Sequence, residues 1–183
     1  MTKKIFILFI AVLLTAGAIF YFSSQDGPSS QKTSSGFVEL ALRLFVPDLE
    51  SLPAAEQTAV RRSINIAVRK AAHVFEYTVF GALLMMLSMS VSARREELTG
   101  KRTGAWFTAL ISVSLGAMYA AADEIHQSYT GRTSRFTDVL IDCAGVIAGA
   151  AAAVIITRII GKNARNKHAD KIVSSKEQLP PII

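Results

Sequence analysis

A single cysteine, Cys143, stands in 183 residues. That excludes a disulfide framework and a thiolate zinc site, and leaves the redox compartment open. Proline and glycine number only 5 and 11, too few for a disordered linker protein or a collagen-like chain. Charged residues make up 19% against 51% hydrophobic, and mean hydropathy is +0.37, a balance suited to lipid rather than to water. No internal repeat is evident.

What the chain has instead is four long apolar runs, at 5–22, 71–92, 105–122 and 139–160. The first carries no charge. The second is interrupted by His73 and Glu76 near its start, the fourth by Asp142 and, near its end, Arg158. At about 1.5 Å per helical residue, an 18-residue run reaches roughly 27 Å, close to the hydrocarbon thickness of a bilayer. None of the runs alternates apolar with polar residues, as a barrel strand must. The expected fold is therefore an all-α membrane protein with four transmembrane helices. Lys3, Lys4, the following apolar stretch and Ala16-Gly17-Ala18 also fit a cleaved signal peptide, but the run continues through Ile19-Phe20-Tyr21-Phe22, longer than such a segment needs.

Basic residues set the expected orientation. With the N-terminus in the cytoplasm, the segments on that side collect 12 of the 20 lysines and arginines against 4 of the 14 acids, a balance of +8, and the outer segments carry −2. This favours an N-in/C-in arrangement and explains the net charge of +6 without nucleic acid as a partner. Residues 161–183 read as a basic cytoplasmic tail beside anionic lipids.

Residues 23–70 form an extracytoplasmic loop. Ser23 to Ser35 is polar and turn-rich, after which Phe37, Leu40, Ala41, Leu44 and Phe45 recur at helical spacing, with Glu39 and Arg43 as an i,i+4 pair, until Pro47. That predicts an amphipathic helix lying in the outer interface. After Pro53, the spacing of Val60, Ile64, Val68 and Ala71 carries a helix straight into the second span.

The ionisable residues fall in one place. Arg69, Lys70, His73 and Glu76 open the second span, while Asp123, Glu124, His126 and Gln127 close the third. Arg132, Arg135, Asp138 and Asp142 surround the start of the fourth, and Ser23, Ser24 and Gln25 end the first. All four spans thus bring polar ends to one face of the membrane. Arg69, His73 and Glu76 share one helix stripe, as do Asp138, Asp142, Gly145 and Gly149. The two glycines, with alanines nearby, suit a close helix contact that would let an acid of the fourth span meet a base of the second, or a second copy of the chain pack on. A charge at mid-bilayer costs about 2.5–3.5 kcal/mol unless paired or wet, so the cluster reads as a water-accessible site for a polar head group. Arg132 and Arg135 would offer guanidinium forks to an anion there. A self-neutralising ion-pair network that fixes helix register is the plainer alternative.

Two sharper chemistries are weaker. His73, Glu76, Asp123, Glu124 and His126 are N/O donors of the kind that ligate metals, but their spacing matches no zinc motif and His-Glu-x-x-His is absent; no metal and no cofactor is expected. His73 or His126 beside Glu76 or Asp123 would be the candidate proton carriers or nucleophiles of a membrane-embedded hydrolase or transferase acting on a lipid-linked phosphate, with Lys70 and Arg132 on the phosphate. The Gly-x-Ser-x-Gly of serine hydrolases and the Pro-Ser-Gly-His element of lipid phosphatases are both missing.

At these residues the chain resembles the VanZ-like family of bacterial membrane proteins. The resemblance rests on Phe22-Ser23-Ser24-Gln25, on Arg69-Lys70-Ala71-Ala72-His73-Val74-Phe75-Glu76-Tyr77, on Ala122-Asp123-Glu124-Ile125-His126-Gln127, and on Gly131-Arg132 and Asp138-Val139 ahead of the glycine-rich fourth span. It covers about residues 5–160, in the family's order. It implies a four-helix cell-envelope protein with Arg69, Lys70, His73, Glu76, Asp123, Glu124, Gln127, Arg132 and Asp138 as the polar signature. It also carries the family's association with resistance to the glycopeptide teicoplanin.

The expectation is a multi-pass cell-membrane protein with an outer-leaflet polar site, more a binder than an enzyme. Its expected partners are membrane lipids, among them a lipid-linked cell-wall precursor or a teichoic-acid lipid. A purely structural role, clamping another membrane protein or a second copy through Gly145 and Gly149, is the third reading.

Overall fold

Each of the four apolar runs is a helix. The computed structural model describes residues 2–25, 27–130 and 135–177, and among them contains α-helices and one short 3-10 turn, with no strand. In order these are α1 (Lys3–Ser23), α2 (Gly27–Phe45), the 3-10 turn Leu49–Ser51, α3 (Ala54–Thr99), α4 (Ala105–Tyr129) and α5 (Phe136–Glu177). Helices α1, α3 and α4 and the stretch Phe136–Asn163 of α5 are long and apolar enough to cross a membrane. The chain is thus a four-span, all-helical membrane protein with an additional helix between the first two spans.

Helix ends follow local chemistry. Thr2 caps α1 by accepting from the Ile5 N–H. At the end of α3, Gly100 adopts φ 65° and its N–H closes on the Glu96 carbonyl at 2.8 Å, the left-handed stop that glycine makes without a Cβ clash. Pro53 immediately precedes α3, which runs without a break from the loop through its span, as the continuous spacing after Pro53 predicted.

Packing is by small residues rather than by bulk. The inward stripe of α4 is Thr108, Ser112, Gly116 and Ala120, then Asp123, Glu124 and Gln127, while Trp106, Phe107, Leu115 and Met118 face outward. Lipid tails are as apolar as leucine, so size rather than hydropathy selects the inner face. Helices α3 and α5 form the most extensive pair. A Cβ on Gly145 would lie 2.9 Å from the Val74 carbonyl oxygen, one on Gly149 would collide with the Thr78 carbonyl oxygen, and one on Gly81 with that of Val146. The glycine stripe therefore makes its close approach to α3 of the same chain. Val146, fully buried, also fills the space above Gly116 and joins Val12, Ile19, Tyr77, Phe80, Leu84 and Ala120 in the main core.

Three local expectations change. Helix α2 begins at Gly27, ahead of Phe37, so part of the polar stretch after the first span is helical. Glu39 pairs with Arg61 of α3 at 3.3 Å rather than with Arg43, because α2 folds back antiparallel on α3 and offers it a cross-helix partner; Ser34 and Asn65 add a second tie at 3.2 Å. Helix α5 continues past the span to Glu177, taking the basic stretch after residue 160 with it; residues 178–183 lie outside the described residues.

Candidate functional site

The spans alternate in direction, so Ser23 of α1, the start of the apolar part of α3, the last turns of α4 and the first turns of α5 meet at one end of the bundle. Three ties hold that end together. Ser23 Oγ donates to Asp123 Oδ2 at 2.8 Å, and Gln127 Nε2 donates to the same oxygen at 2.9 Å, joining α1 to α4. Lys70 Nζ donates to Asp138 Oδ1 at 2.5 Å, joining α3 to α5. The Arg135 backbone N–H donates to Glu124 Oε1 at 2.8 Å, so a carboxylate of α4 sits against the residue before α5, where the helix dipole favours negative charge.

Between these ties lies a buried polar centre. Asp123, Glu124, Gln127 and Asp142 are each at most 5% exposed. The carboxylates of Asp123, Glu124, Asp138 and Glu76 all stand within electrostatic reach of Asp142. The Tyr77 hydroxyl faces Asp123 and also lies in reach of Asp142. The ring of Tyr77 stacks on His73 at 6.4 Å between centroids, linking His73 toward Asp123.

The predicted stripe Arg69, His73 and Glu76 faces another way. With Gln25 these three residues line a cavity of about 640 Å³ between the end of α1, α2 and α3. Arg69 Nε itself is buried away from the cavity surface and has no hydrogen-bond partner among the described residues. Helix α3 thus carries polar residues on two sides: Lys70 and Tyr77 look toward α4 and α5, while Arg69, His73 and Glu76 line the α2 side, with Glu76 still in electrostatic reach of Asp142.

Two predicted residues stand apart. His126 packs on Phe20 at 4.6 Å and its Nε2 lies 3.0 Å from Ser24 Oγ, so it is turned to α1. Arg135 contributes its backbone N–H, and the residue is exposed. Arg132 lies outside the described residues. Among the described residues, no group of three or more His, Cys, Asp or Glu side chains is placed to hold a metal ion. Lys70, expected beside a phosphate, is already held by Asp138.

Sequence reasoning put Ser23 at the right end but not on Asp123, and passed over Tyr77 except as part of the family resemblance. Their signal was position: a serine closing an apolar run, and a tyrosine on the same face as Lys70, two turns on. Tyr119, whose hydroxyl donates to the Ala16 carbonyl at 2.6 Å, gave no signal beyond its polar atom in a span.

Residues 6–157 match the family model described as VanZ/LLP1. No curated protein and no solved structure matches the chain.

Proposed function

The chain belongs to the VanZ/LLP1 family, and from that premise we propose that it is a multi-pass protein of the bacterial cell membrane that binds a lipid-linked, anionic head group at its polar end. The polar end faces the outer leaflet, because the opposite end and the tail carry the excess of lysine and arginine. The observation that carries the reading is the cavity wall. Arg69, His73 and Glu76 line a space of ligand size, and Arg69 brings a guanidinium to its wall. An anionic head group in the cavity would meet that guanidinium in charge-assisted hydrogen bonds. Through that binding the protein would alter access of glycopeptides such as teicoplanin to lipid-linked wall intermediates.

The test is a set of single replacements, Arg69→Ala, His73→Ala, Glu76→Ala and Asp123→Ala, in a bacterial host challenged with teicoplanin while membrane insertion is followed. Loss of protection with insertion intact supports the reading. Protection unchanged in all four variants removes it.

A further inference from the structure

The amphipathic helix α2 is turned in an unusual way. Among its described side chains the most buried is Leu42, 2% exposed, whereas Phe37, Leu40, Leu44 and Phe45 are 54–76% exposed. The ties to α3, Glu39 to Arg61 and Ser34 to Asn65, anchor the polar side of the helix. The bare apolar residues line the cavity that Arg69 also lines. A gap with hydrocarbon walls on one side and the Arg69 guanidinium on the other has the polarity of an amphiphile.

We infer that this cavity is a lipid-chain slot: it takes one hydrocarbon chain of a phosphate-bearing anionic membrane lipid, with the phosphate against Arg69. The inference rests on the head-group reading above and adds where the chain lies. The walls favour a hydrocarbon chain over a polar segment, being built largely from Phe22, Phe37, Leu40, Leu44, Phe45 and Phe75. A flexible chain fits a narrow slot, and the bilayer supplies it at the lip, where Phe75 lines the cavity and is 69% exposed. Charge selects the lipid. His73 and Glu76 already have interactions within the protein, and the guanidinium of Arg69, on the same wall, favours a phosphate oxygen over a neutral acceptor.

The test uses the purified full chain in detergent and native mass spectrometry with added phosphatidylglycerol, phosphatidylcholine or glycerol 3-phosphate, the last being a head group without chains. The variants are Ala41→Phe combined with Ala72→Phe, which fills the slot, and Arg69→Gln, with unfolding temperature as the check on folding. Wild type should retain one phosphatidylglycerol, the filled variant about tenfold less, and Arg69→Gln should lose the preference for phosphatidylglycerol over phosphatidylcholine. If the filled variant does not fold, the combination Trp106→Phe with Phe37→Trp reads the same point: chain-brominated phosphatidylglycerol should quench the new tryptophan with one-site saturation. Retention in the filled variant equal to wild type, quenching without saturation, or a slot occupied by a second copy of the chain each overturns the proposal. If glycerol 3-phosphate binds in an Arg69-dependent way and the chains add nothing, the slot fails while the head-group reading stands. If neither lipid nor glycerol 3-phosphate binds, both fail.

Discussion

Lys70 and Asp138 are 68 residues apart in the chain and meet at 2.5 Å, one in each partner of the closest helix pair. The contact sits a short way beyond the glycine seam of α5, so the seam brings the two backbones together and the ion pair sets their register. Pairing also answers the problem that each charge would pose near hydrocarbon.

The pair is partly exposed, its side chains 41% and 24% accessible, and its worth is correspondingly modest. Lys70→Ala or Asp138→Ala should each cost about 0.5–1 kcal/mol in detergent unfolding. The exchange Lys70→Asp with Asp138→Lys should recover most of the loss. Equal losses in the single and exchanged variants would mean that the two residues do not sense each other.

Asp123 is a buried acceptor for two donors from two helices, and its loss should be felt more. Asp123→Ala leaves Ser23 Oγ and Gln127 Nε2 without their acceptor and should cost about 2 kcal/mol. Ser23→Ala should cost less, and the double variant less than the sum, because the residues share one network. Strict additivity in a double-mutant cycle would contradict the node.

The glycines should rank by what a methyl group would strike. Gly149→Ala drives Cβ into the Thr78 carbonyl and should cost about 1–3 kcal/mol or prevent folding. Gly145→Ala, with its nearest atom at 2.9 Å, should be milder, and Gly17→Ala, with nothing within 4 Å, should be neutral. Unfolding temperatures of the three variants give the order directly. A Gly17 variant as damaged as Gly149→Ala would contradict the packing.

Sidedness is testable with the only native thiol removed by Cys143→Ser. Tyr129 and Leu98, 84% and 66% exposed, mark opposite ends of the bundle. A membrane-impermeant maleimide should label Tyr129→Cys in intact cells and Leu98→Cys only after permeabilisation. The reverse pattern would turn the polar end to the cytoplasm and end the outer-leaflet proposal.

Much of this architecture was legible because charge is scarce. With so few ionisable residues inside the apolar runs, Arg69, His73 and Glu76 could be placed on one stripe, and the meeting of a fourth-span acid with a second-span base could be expected from the glycines beneath it. What escaped was whatever hydropathy does not encode. Thr108, Ser112, Gly116 and Ala120 form the inner face of α4 through small size at four-residue spacing, and they sit in the sequence among larger residues that a hydropathy reading would bury first. Glu39 had an equally good partner by local spacing, and only the fold-back of α2 decided for Arg61. That α3 has two polar faces, one toward the cavity and one toward α5, depends on rotation about its axis, which neighbours set.

Helix α3 is 46 residues long, roughly 69 Å, against a hydrocarbon layer of about 30 Å, and no proline interrupts it. It is a lever whose upper arm carries α2 and whose lower arm ends at Thr99. A sideways push on the upper arm meets no proline hinge on its way to the far side of the membrane.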